Sequence, residues 1–155
     1  MKHKLDSEIT LLTPKGKVCV PVHISYDDYE SSRKEKSEIA LVFEGTEYTG
    51  TGNDSLWTDT FASLQASLPR DVRLACCLTC RHGNMCPFGN GKNELFCTKG
   101  LTVTCKKDMC DLFDDPDSVM QRAVTYFGIC DDFSPQSCEA YTYNDYLYQL
   151  KKIGE

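Results

Sequence analysis

Hydrophobic and polar positions alternate along much of the first half of the chain. Ile9 and Leu11 stand between polar residues, Thr13-Pro14-Lys15-Gly16 reads as a turn, and Val18, Val20, Val22 and Ile24 alternate again. A period of two turns one face of a strand toward a core and the other toward water, so these segments predict antiparallel strands. Pro21 falls on the face opposite the valines. Proline has no N–H for a ladder, so an edge strand or a bulge is expected there. Residues 27–37 are polar and charged, a solvated loop around Ser31-Ser32-Arg33-Lys34-Glu35-Lys36. The apolar run 39–43 predicts a central strand, and Gly45, Gly50 and Gly52 punctuate a short strand near Tyr48.

The period then changes. Trp57, Phe61, Leu64 and Leu68 fall at i, i+4, i+7 and i+11, the apolar stripe of a helix capped by Asp54 or Ser55 and stopped by Pro69. Val72, Leu74 and Cys76 read as a last strand. After a cysteine-rich segment (76–110), Asp115 and Pro116 predict the start of a second helix. Val119, Ala123 and Phe127 form its stripe, and Gly128 stands at its end. Ser134-Pro135 repeats the start signal for a final helix, with Tyr143, Leu147 and Leu150 on one side and Lys151-Lys152 at the dipole's negative end. The expected architecture is α+β: an N-terminal antiparallel β-meander packed on an amphipathic helix, followed by a cysteine-rich knuckle and C-terminal helices. A chain of 155 residues favours one domain, with sheet and helix in 1–75 and the cysteine-rich part in 76–155.

Composition narrows the function classes. Seventeen Lys and Arg against 23 Asp and Glu give a net charge of −6, with no basic stripe, so a nucleic-acid partner is not expected. The N-terminal residues lack the apolar core of a signal peptide, and no stretch approaches the roughly 20 apolar residues of a membrane span. A cytoplasmic protein without membrane contact is the expectation. In that reducing compartment ten cysteines at short spacings read as metal ligands or reactive thiols rather than five disulfides.

The cysteines concentrate in Cys76-Cys77-Leu78-Thr79-Cys80-Arg81-His82-Gly83-Asn84-Met85-Cys86, followed by Cys97, Cys105 and Cys110. A C-x-x-C turn sets two sulfurs on one side of a tight loop, half of a tetrahedral thiolate site. Neighbouring glycines and asparagines are expected to supply positive-φ positions. Cys77 and Cys80 are one half of the site and Cys97 is the first candidate for the other. Cys86, Cys105, Cys110 and Cys130 all remain open as the fourth ligand. Cys19 and Cys138 read as buried free thiols, since cysteine is often found inside.

These residues resemble a family of uncharacterised bacterial proteins. The shared framework is Cys76-Cys77-Leu78-Thr79-Cys80-Arg81-His82, then Pro87-Phe88-Gly89, Phe96-Cys97, and Cys130-Asp131-Asp132-Phe133. The resemblance covers the C-terminal half and implies Cys77, Cys80, Cys97 and Cys130 as the tetrad, without implying an activity.

Other motifs lead nowhere. Arg81-His82-Gly83 imitates a histidine-phosphatase pocket without its second histidine and further arginines. The C-x-x-C is followed by a loop and not by the helix of a thioredoxin-like site. Gly50-Thr51-Gly52-Asn53 lacks the Lys-Ser/Thr of a phosphate loop. The carboxylates Asp111, Asp114, Asp115 and Asp117 lack the glycine and terminal glutamate of a calcium loop and read as helix caps. Tyr141, Tyr143, Tyr146 and Tyr148 suit either a partner surface or a lid on the core. The expected function is a non-catalytic accessory or protein-interaction domain with a structural zinc ion and an unidentified protein partner. The alternative is a thiol- or 4Fe-4S-based redox protein using Cys76, Cys77 and Cys80.

Overall fold

A computed structural model of the chain describes residues 2–27, 36–53, 57–88 and 94–154. Four strands form an antiparallel meander: β1 (Lys2–Thr13), β2 (Gly16–Asp27), β3 (Ser37–Phe43) and β4 (Thr46–Gly52). Helix α1 (Thr58–Ser67) follows, and β5 (Arg73–Ala75) then adds to the far edge, giving the order β4-β3-β2-β1-β5. The registers Leu11↔Leu74, Ile9↔Val20, Val22↔Leu41 and Ile24↔Ile39 place those residues across from one another on one face. All eight are buried. This is the α+β class and the N-terminal antiparallel sheet that the alternation predicts.

Helix α1 covers that face. Trp57, Phe61, Leu64 and Leu68, the predicted stripe, are all buried. Each such side chain contributes about 1.5–3 kcal/mol by leaving water. The helix approaches β4 closely at Gly50, where a Cβ would stand 2.4 Å from the backbone nitrogen of Leu64. Glycine at this position therefore serves the helix–sheet contact.

Several expectations need correction. Strand β1 begins at Lys2, well before Ile9. Pro21 lies in an interior strand, yet β3 pairs with β2 only from Val22 onward, so the missing N–H costs no ladder bond on that side. The expected caps Asp54 and Ser55 lie outside the described residues. Trp57 occupies the cap position with φ 62° and no side-chain cap bond.

The second predicted helix is cut short. Asp115 does cap it, accepting from Ser118 N–H at 3.3 Å, but α3 covers only Pro116–Met120. Ala123 and Val124 instead form β8, paired with Phe96 and Leu95 of β7 (Leu95–Cys97). The tertiary partner satisfies their backbone where a helix would otherwise have done so. Strand β6 (Gly83–Met85) completes this small sheet in the order β6-β7-β8. A helix absent from the expectation, α2 (Lys106–Leu112), occupies part of the cysteine-rich segment. Ser134-Pro135 starts no helix, because Pro135 bridges to Cys80. The last helix, α4, is Tyr146–Ile153. Cys19 and Cys138 are free thiols but exposed, not buried.

Among the described residues no helix is long and apolar enough to cross a membrane.

Candidate metal centre

The knuckle begins where β5 ends. Cys76 is extended and fully buried, and Cys77–Thr79 form one 3-10 turn. Thr79 holds this turn together, its hydroxyl donating toward the carbonyls of Leu74 and Cys76 at 3.2 Å each. The chain closes with Cys80 N–H on the Cys77 carbonyl (3.3 Å) and Gly83 N–H on the Cys80 carbonyl (3.0 Å). A Cβ at Gly83 would sit 2.0 Å from the Cys77 carbonyl oxygen, so the turn requires glycine for space. The expected reason, a positive φ, is wrong here: neither Gly83 nor Asn84 has one. Gly89, Asn90 and Gly91 lie outside the described residues.

Two distant segments are brought to this turn by backbone bonds. Gly83 pairs with Cys97 in the β6–β7 register, and Thr98 N–H donates to the His82 carbonyl at 3.0 Å, which sets Cys97 beside the knuckle. Cys77 N–H donates to the Gly128 carbonyl at 2.7 Å, and Arg81 N–H to the Ser134 carbonyl at 2.7 Å. These two bonds bracket Cys130 from both sides and carry it to the same place.

Cys77, Cys80, Cys97 and Cys130 consequently line one small cavity of about 20 Å³, together with His82, Lys99 and the apolar Val124, Ile129 and Phe133. Cys86, Cys105 and Cys110 do not line it. Cys86 follows β6, its N–H on the Glu94 carbonyl (3.0 Å), while Cys105 caps α2 and Cys110 lies within it. Among the described residues no three His, Cys, Asp or Glu side chains stand as a ready-made metal-holding group. The four thiols thus share a cavity without being drawn onto a single point.

The electrostatics follow from crowding. Burial, and then the neighbouring Cys76, Cys80, Cys97 and Cys130, push the Cys77 thiol up to about 12. Burial likewise raises Cys76 to about 11. As free thiols both stay protonated at neutral pH, the opposite of the lowered pKa that marks a reactive cysteine. A cation among the sulfurs would reverse this, since thiolate coordination displaces the proton. The donor set therefore fits a thiophilic metal. Burial and the Arg81 and Lys99 charges hold His82 below its ordinary value, so its imidazole is neutral. Lys99 pairs with Asp132 at the rim.

Residues outside the cysteine pattern do much of the positioning. Asn144 Nδ2 donates to the carbonyls of Leu78 (2.7 Å) and Gly83 (3.0 Å), and Gln136 Nε2 donates to Leu78 (3.1 Å). Arg122 Nη1 reaches the carbonyls of Cys97 (3.1 Å) and Lys99 (3.0 Å). Their partners are remote in sequence, so no local spacing could have announced them.

No family model, curated protein or solved structure matches this chain.

Proposed function

We propose that Cys77, Cys80, Cys97 and Cys130 hold one zinc ion and that the protein is a non-catalytic, cytoplasmic accessory domain whose metal keeps a protein-binding surface in shape. The observation that supports this reading is the convergence of these four thiols, from three separate segments, on one cavity. Its volume of about 20 Å³ favours a single ion, since a cavity holding one water needs roughly 10–15 Å³ and a four-iron cluster needs far more. Four thiolates close a tetrahedral shell and leave no position for an activated water, so the role is structural. The residues' part is to tie β5, the β6–β7 hairpin and the 128–134 segment together.

Exposed aromatics are compatible with a partner surface. Tyr148 and Phe88 are 64% and 67% exposed, whereas Tyr146 is buried in the core.

Metal binding of this kind adds directly to folding free energy. A chelator is therefore expected to lower the melting temperature, added zinc to restore it, and Cys77→Ser or Cys97→Ser to abolish the response. Melting that ignores chelator, zinc and both substitutions would defeat the proposal. The rival thiol-redox reading needs an accessible thiolate, and the raised Cys76 and Cys77 argue against it. Rapid alkylation of the native protein at neutral pH would revive it.

A further inference from the structure

A second cleft lies on the other side of the knuckle. It is about 150 Å³ in volume, between β5, the Thr79 side of the turn and α4. Val72, Leu147 and Leu150 give it apolar walls, and Arg70 and Arg73 stand at its edge. Other polar wall groups are already engaged: Gln65 donates to the Val72 carbonyl at 2.9 Å and accepts from Leu74 N–H at 2.8 Å, Thr79 donates toward the Leu74 and Cys76 carbonyls, and Gln136 Nε2 donates to the Leu78 carbonyl.

Two charged groups at the cleft remain without partners. Among the described residues neither arginine side chain forms an ion pair or hydrogen bond, although the chain carries 23 acidic residues and a net charge of −6. Tyr146 lines the same cleft as Arg73 and is only 5% exposed as a residue, and its hydroxyl is not among the buried polar atoms that lack a partner.

We propose that this cleft binds a small organic anion, a carboxylate or phosphate head on an apolar body of about the size of a benzene ring. Arg70 and Arg73 supply the charge and the Tyr146 hydroxyl donates to the head group. The apolar body lies against Leu147 and Leu150. Planar guanidinium forks suit both head groups, and a cavity of about 150 Å³ accommodates a benzene-sized body. The inference does not depend on the metal reading.

The test is a titration of the full chain, its metal content measured beforehand, with benzoate, phenyl phosphate and inorganic phosphate. Binding is followed by amide chemical shifts. Benzoate or phenyl phosphate is expected to saturate shifts in residues 70–74 and 146–150. Affinity is expected to fall at least about tenfold in the Arg70→Gln/Arg73→Gln variant, as for the loss of one charge-assisted contact. Tyr146→Phe, which keeps the packing, is expected to weaken binding too. No saturable shift with any probe, unchanged affinity in the double variant, or inorganic phosphate binding as tightly as phenyl phosphate would each overturn the proposal.

Discussion

Arg122 and Cys97 hold each other in both directions. Cys97 N–H donates to the Arg122 carbonyl at 2.8 Å, and Arg122 Nη1 donates to the Cys97 carbonyl at 3.1 Å. The same Nη1 reaches the Lys99 carbonyl, so one guanidinium fixes the strand end on both sides of Thr98. Arg122→Ala keeps the backbone bond and loses the side-chain ones. The expected cost is about 1.5–3 kcal/mol, the range for hydrogen bonds to charged groups, with Arg122→Lys recovering part of it. Urea denaturation checks this, and an unshifted midpoint would show that the clamp contributes nothing.

Gly83→Ala tests the packing of the knuckle. Its Cβ would meet the Cys77 carbonyl oxygen at 2.0 Å, a backbone atom that cannot swing aside. Overpacking of this kind costs about 1–3 kcal/mol, and here the upper end is expected together with reduced metal content. Gly154→Ala, whose nearest contact would be an ordinary 3.5 Å, serves as the control and should unfold like the parent.

Tyr146 gives a pH prediction. Burial raises its phenol well above the ordinary tyrosine value of about 10. Below that ordinary value both folded and unfolded chains keep the proton, and stability is unaffected. Above it the unfolded chain ionises first and binds fewer protons, so stability falls as pH rises toward the folded value. Denaturant unfolding at about pH 9 and about pH 11 should show a smaller loss for Tyr146→Phe than for the parent. Equal losses would mean that Tyr146 takes no part in the alkaline transition.

The first half of the chain was legible because its signals are local. Alternation along Val20, Val22 and Ile24 and the stripe Trp57, Phe61, Leu64 and Leu68 each report one face of one element, and each is buried as expected. The second half was read less well because partners override propensity there. Asp115 and Pro116 mark a true helix start, but pairing of Ala123 and Val124 with β7 ends the helical pattern early. Pro135 likewise spends its helix-start signal on a bridge to Cys80. The cysteine pattern pointed to the knuckle, while the choice of Cys130 over Cys86, Cys105 or Cys110 at the cavity depends on bonds from Cys77 to Gly128 and from Arg81 to Ser134. Those bonds span about fifty residues, and spacing carries no trace of them.

The most direct test of the central claim is elemental analysis with an absorption spectrum on anaerobically purified protein. About one equivalent of zinc per chain, without colour and lost in Cys77→Ser and Cys130→Ser, is the expected result. Absence of metal would contradict the account and leave four crowded thiols held by burial alone. Iron with sulfide and a brown absorbance would contradict it in another way, replacing the structural ion with a redox cluster.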